Sequence, residues 1–111
     1  MALPVKNTST RKLLKEVTRR IVDLTSPKRV VLFGSGARGK MDINSDFDML
    51  VVFEKSIHRR RMAQKIYRGL HGVGISVDVV VTTEADLKKY GSKAGTILKP
   101  ALKEGRVLYE A

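Results

Sequence analysis

Residues 29–53 read RVVLFGSGARGKMDINSDFDMLVVF. Arg29–Phe33 is a short, β-branched apolar run, the composition of a buried strand. It runs straight into Gly34-Ser35-Gly36-Ala37-Arg38-Gly39, and only six residues, Lys40–Ser45, precede a second apolar run, Asp46–Phe53. Two strands joined by so short a polar segment leave no room for a crossover helix, so they cannot be parallel neighbours. That decides against a purely parallel sheet.

Outward from this stretch the pattern is regular. Leu13, Val17, Ile21 and Leu24 recur at helical spacing, with Lys12, Lys15, Arg19 and Arg20 mostly off that stripe. Asn7, Thr8 and Ser9 offer cap oxygens for a helix starting near residue 8, with residues 1–6 as an arm, and Ser26-Pro27 ends it. Residues 56–71 form a second amphipathic helix, with Ser56 as cap and Met62, Ala63, Ile66, Tyr67 and Leu70 as its stripe. Ile75–Thr82 is a third strand, Thr83 and Asp86 resemble a capping box for a short helix ending near Tyr90, and Arg106–Tyr109 is a fourth strand. Residues 93–104 are a weaker helix, interrupted by Gly95 and Pro100. The order α-β-β-α-β-α-α-β predicts an α+β fold, a small mixed β-sheet with flanking helices. The expectation is one domain over residues 1–111, with its core at about 8–110.

Composition narrows the chemistry. The 111 residues include 22 Lys and Arg against 11 Asp and Glu, a formal net charge of +11. A chain this long buries roughly 65% of its unfolded surface, enough for an independent core. With no Cys, disulfides, thiolate metal centres and Cys nucleophiles are excluded. The apolar runs fall far short of the ~20 residues a membrane span needs. The N-terminus lacks the apolar core of a secretory leader. The expected location is cytoplasmic and the expected partner anionic.

The glycine hexapeptide fits three motifs. As G-x-G-x-x-G, with Glu54 downstream, it matches the dinucleotide fingerprint, but that motif must open a crossover helix and none fits here. As G-x-x-x-x-G-K, through Gly34, Gly39 and Lys40, it matches most of a P-loop. Met41 then stands where a hydroxyl should hold Mg²⁺. The third reading joins the hexapeptide to the carboxylates of the next two strands. Asp46 and Asp48 are two apart on a strand and present both carboxylates to one face. Asp78 interrupts the apolar run ISVDVVV, where an aspartate is costly unless paired, hydrogen-bonded or metal-bound. Strand parity puts Val77, Val79 and Val81 on the core face and Ser76, Asp78 and Val80 on the other. Three carboxylates beside a glycine loop suit one or two Mg²⁺ ions carrying a triphosphate. The Gly34 and Ser35 amides and the Ser35 hydroxyl would hold the phosphates, and Arg38 would neutralise charge on them. Asp78 would act as general base or as ligand of a second ion.

The plainer readings stand beside these. Alone, Asp46 and Asp48 would be solvated residues at a strand start, since exposed carboxylates are the norm. Asp42 reads as a turn residue and Lys40 as solvent-facing. Arg59-Arg60-Arg61 reads first as a solvated face, with an acidic or nucleic-acid contact surface as its functional alternative. His58 and His71 are not spaced as a metal pair. The aromatics do not interleave with the basic residues as a single-strand stacking platform would.

GSGARG, then SDFD, then a single strand aspartate resembles the DNA polymerase β-type nucleotidyltransferase superfamily, in particular its stand-alone minimal nucleotidyltransferases. Their pattern is filled here by Gly34, Ser35, Ala37, Arg38, Gly39, Ser45, Asp46, Asp48 and Asp78, and the likeness covers roughly residues 8–110. The resemblance implies a nucleotidyltransferase fold, with Asp46, Asp48 and Asp78 as catalytic metal ligands. Gly34, Ser35, Arg38 and Ser45 would bind the nucleotide. It implies Mg²⁺ as cofactor and a nucleoside triphosphate, ATP first, as donor. It also implies the antitoxin half of a two-gene module, whose partner is a helical protein of the HEPN class and receives AMP. The rival is a non-catalytic basic module contacting RNA or an acidic partner. A homo-oligomer is compatible with either.

Overall fold

Helix α1 (Ala2–Thr25) lays Val17 and Ile21, both fully buried, against the sheet. It starts earlier than the cap residues predict. Asn7, Thr8 and Ser9 terminate a helix only if the preceding chain leaves it, and inside a helix such residues cost only a few tenths of a kcal/mol each, at most about 0.7. Pro4 is tolerated because the first-turn N–H groups have no intrahelical acceptor. The far end follows expectation. Ser26 adopts a left-handed φ of 48° and donates its N–H to Val22 O at 2.9 Å. That is a single-bond left-handed cap, and buried Pro27 follows it. The computed structural model describes residues 2–33, 47–90 and 105–111; the hexapeptide, Asp46 and the predicted helix at 93–104 lie outside them.

Four strands, β1 (Arg29–Phe33), β2 (Phe47–Phe53), β3 (Val77–Thr83) and β4 (Arg106–Glu110), form one sheet in the order β3-β2-β1-β4. β1 pairs antiparallel with β2 and with β4, and β2 pairs parallel with β3. The mixed sheet is the one the short 34–46 connection requires, and α2 (Arg59–Gly69) supplies the crossover for the parallel pair. Its cap differs from expectation: His58 Nδ1, not Ser56, accepts from Arg61 N at 3.2 Å. α3 (Glu84–Tyr90) starts as predicted, with Asp86 N donating to Thr83 Oγ1 at 3.2 Å.

Both sheet faces are covered, which is why β1 and β2 read as continuous apolar runs rather than alternating ones. α1 and α2 close one face over Val30, Leu32, Phe47, Met49, Val51 and Val81. On the other face Leu87 of α3 packs with Val31, Phe33, Leu50 and Val52, and Val80 joins them. The Val77, Val79, Val81 face of β3 meets the first cluster, as strand parity predicts. Asp78 therefore belongs to the α3 face. Arg29 and Glu84, both about three-quarters buried, tie β1 to α3 through a 2.6 Å ion pair.

Candidate active site

The register of the sheet builds the site. Phe33, the last residue of β1, pairs with Asp48, and Asp48 pairs with Asp78 across the parallel β2–β3 ladder. Directly opposed residues project to the same face. Phe33, Asp48 and Asp78 thus form a row on the α3 face, at the C-terminal end of β1 and the N-terminal ends of β2 and β3. Neighbouring strands lie about 4.8 Å apart, so both carboxylates can reach one small cation. Asp48 is half-buried and Asp78 exposed. The row has an apolar side in Phe33 and an open side at Asp78, which is on the outer strand.

The chain continues from Phe33 directly into Gly34, and Asp46 directly precedes Phe47. The remaining predicted site residues, Gly34, Ser35, Arg38, Ser45 and Asp46, lie outside the described residues. Of the expected three carboxylates, the described residues bring together two, Asp48 and Asp78; among the described residues no three potential metal ligands converge.

The opposite end of the sheet carries a different constellation. An open groove there is lined by Ser56, Ile57, His58, Arg60, Thr83 and Ala85, and Arg59 and Asp86 form an ion pair beside it. It sits five residues along β2 from Asp48, about 16 Å at strand rise, so it is no part of the carboxylate row. Another contact that sequence reasoning missed is at the sheet edge, where Val79 N donates to Tyr67 Oη at 2.8 Å. Nothing in the sequence signals it, because it joins a helix side chain to a strand edge twelve residues away.

The sequence matches the nucleotidyltransferase domain family over residues 11–107, nearly the whole chain. The chain belongs to that family. This nucleotidyltransferase domain is similar in fold to a putative nucleotidyltransferase from Sulfolobus solfataricus. The two share 24% identity at a TM-score of 0.63, over 94% of this chain and 85% of that one. It is also similar to a structure described as a toxin–antitoxin with AMP-PNP (24% identity, TM-score 0.55, 87% and 73% of the two chains). A mutant of the toxin–antitoxin MntA-HpeT is a third such neighbour (21% identity, TM-score 0.54, 86% and 71%). At these identities the likeness establishes the fold. No curated protein matches the chain. Among the described residues no helix is long and apolar enough to cross a membrane.

Proposed function

We propose that this nucleotidyltransferase domain transfers a nucleoside monophosphate, AMP from ATP, to a partner protein, as the antitoxin of a toxin–antitoxin pair. The observation that carries the reading is the in-register Asp48–Asp78 pair beside the strand end that leads into Gly34-Ser35. Two structural neighbours are described as toxin–antitoxin structures, one of them with AMP-PNP. The mutant neighbour carries aspartate-to-glutamate changes two positions apart, the spacing of Asp46 and Asp48 here.

Two oxygen-donor side chains on adjacent strands, one of them open to solvent, suit a hard cation. Asp48 and Asp78, with Asp46, are the residues that would hold Mg²⁺. When bound, that ion neutralises triphosphate charge and lowers the pKa of an attacking hydroxyl. Gly34 and Ser35 cradle the phosphates, Ser45 completes the nucleotide contacts, and Arg38 balances charge on the departing pyrophosphate. The acceptor oxygen attacks the α-phosphorus, the α–β phosphoanhydride bond breaks, and pyrophosphate leaves. Asp78 takes the acceptor's proton; were it instead to hold a second ion, that proton would pass to solvent.

The test is label transfer from [α-³²P]ATP to the co-expressed product of the neighbouring gene, a helical HEPN-class protein on this reading. Asp48→Ala and Asp46→Ala/Asp48→Ala should lower transfer about a hundredfold or more, because electrostatic stabilisation is usually the largest single contribution to catalysis. Equal labelling by wild type and the double variant overturns the reading. A second reading, a non-catalytic basic module that contacts RNA or an acidic protein, is favoured by one feature. Arg60, Arg61, Lys65 and Arg68 on α2 are exposed and have no acidic partner among the described residues. Such binding would weaken steeply with salt and ignore both Mg²⁺ and the aspartates.

A further inference from the structure

Among the described residues β3 is an edge strand, paired with β2 on one side and with no strand on the other. Along a strand, successive residues turn their backbone N–H and C=O groups to opposite edges. Phe47 N donates to Ser76 O at 2.9 Å, which turns Ser76, and by alternation Asp78 and Val80, toward β2. Val77, Val79 and Val81 then turn their backbone groups to the open edge. On that edge the N–H of Val79 is taken by the Tyr67 hydroxyl. The amide of Val79 and the carbonyl of Asp78 are one peptide group. That peptide is therefore gripped from both sides, by the ladder through Asp78 C=O and by α2 through Val79 N–H.

The grip sits where the strand needs one. β3 starts at Val77, so Asp78 is only its second residue. The chain feeding it passes through Gly72 (φ 77°) and Gly74 (φ 97°), both in the left-handed region, with Val73 between them buried in the core. Beyond Val73 the strand start is only half-buried at Val77 and exposed at Asp78, and the first residues of a strand open more readily than its centre. Ile66, next to Tyr67 in sequence, is fully buried in the core, so the phenol is delivered from a well-anchored turn of helix.

We infer that Tyr67 is a positioning residue for Asp78, holding the Asp78–Val79 peptide so that the carboxylate stays in register with Asp48. This rests on the reading of Asp48 and Asp78 as cation ligands. Tyr67 touches neither substrate nor cation.

The experiment uses the full chain and two substitutions, Tyr67→Phe and Asp78→Asn, with Mn²⁺ alone as the probe. Tyr67→Phe keeps the ring and frees an amide that water can reach, so circular dichroism should show an unchanged fold. Amide exchange by NMR should quicken at Val79 in Tyr67→Phe, while Val31 in the sheet centre stays protected. Mn²⁺ affinity, read from free-ion EPR, should fall roughly tenfold, the lower end of what loss of a supporting partner costs a metal site. Asp78→Asn should lose more. Unchanged exchange at Val79, or unchanged Mn²⁺ affinity in Tyr67→Phe beside a clear loss in Asp78→Asn, overturns the positioning role alone. Mn²⁺ affinity unaffected by Asp78→Asn overturns the cation-ligand reading, and the positioning role with it.

Discussion

Glu16 shows what a single half-buried carboxylate does in so basic a chain. It accepts from Arg19 Nη2 at 2.6 Å, Arg19 Nε at 3.2 Å and Arg20 Nε at 2.8 Å. Those hydrogen bonds, first to Arg19 and then to Arg20, lower its pKa from 4.5 to about 2. Arg19 also reaches Asp23 at 2.9 Å. Arg20 extends across to α2, donating to Gly69 O and His71 O, each at 3.3 Å. Glu16 thus orients the guanidinium that ties the end of α2 to α1. Because the folded pKa lies below the unfolded one, the contribution is fully present above pH 4.5 and is lost as pH falls through about 2. The melting temperature of wild type should therefore drop more steeply than that of Glu16→Gln between those limits. The two should converge at the acid end, and high salt should shrink the gap at neutral pH, since exposed pairs are screened. Parallel melting curves across the range would show that the cluster contributes nothing.

Among the elements, the two central strands were the most legible. Arg29–Phe33 and Phe47–Phe53 are buried on both faces, and continuous apolar runs announce that directly. The parity of β3 was legible as well, and it placed Asp78 opposite the core-facing valines. What parity could not supply was the neighbour. Asp48 and Asp78 meet only through the β2–β3 register, which depends on how α2 crosses over. The His58 cap and the Tyr67–Val79 bond were illegible for the same reason: each depends on where an element arrives in space rather than on its own sequence. The α2–β3 link carries a prediction of its own. A Cβ at Gly72 would meet nothing within 4 Å, so the cost of Gly72→Ala is purely that of its left-handed backbone, about 1–2 kcal/mol. Gly72→Asn should cost less, because Asn tolerates that conformation. Urea unfolding should show lower midpoints for both with unchanged slope. Equal stability of Gly72→Ala and wild type would mean that the link relaxes out of the left-handed region.

Over the whole molecule, the net charge of +11 is distributed by the fold rather than spread evenly. Glu16, Asp23, Glu84 and Asp86 are each tied to an arginine. Arg61, Lys65 and Arg68 stand at i, i+4 and i+7 on the outward side of α2, a helix with no acidic residue of its own. α2 covers one face of the sheet, and the Asp48–Asp78 row lies on the other. The stripe therefore lies across the sheet from the carboxylates, and on the proposed reading its effect on a triphosphate held there is long-range. Such a field acts on encounter rather than on chemistry, and it fades beyond about 8 Å at physiological ionic strength. The triple variant Arg61→Gln/Lys65→Gln/Arg68→Gln should lower kcat/KM for the nucleotide at low salt, by about tenfold at most, the low end of electrostatic steering. It should also flatten the salt dependence of kcat/KM and leave kcat at saturating nucleotide unchanged. A fall in kcat itself would mean that the stripe acts on the bound state, through the acceptor. A salt slope equal to that of wild type would instead place the steering charge elsewhere, with the exposed α1 cations Arg11, Lys12 and Lys15 the next to substitute.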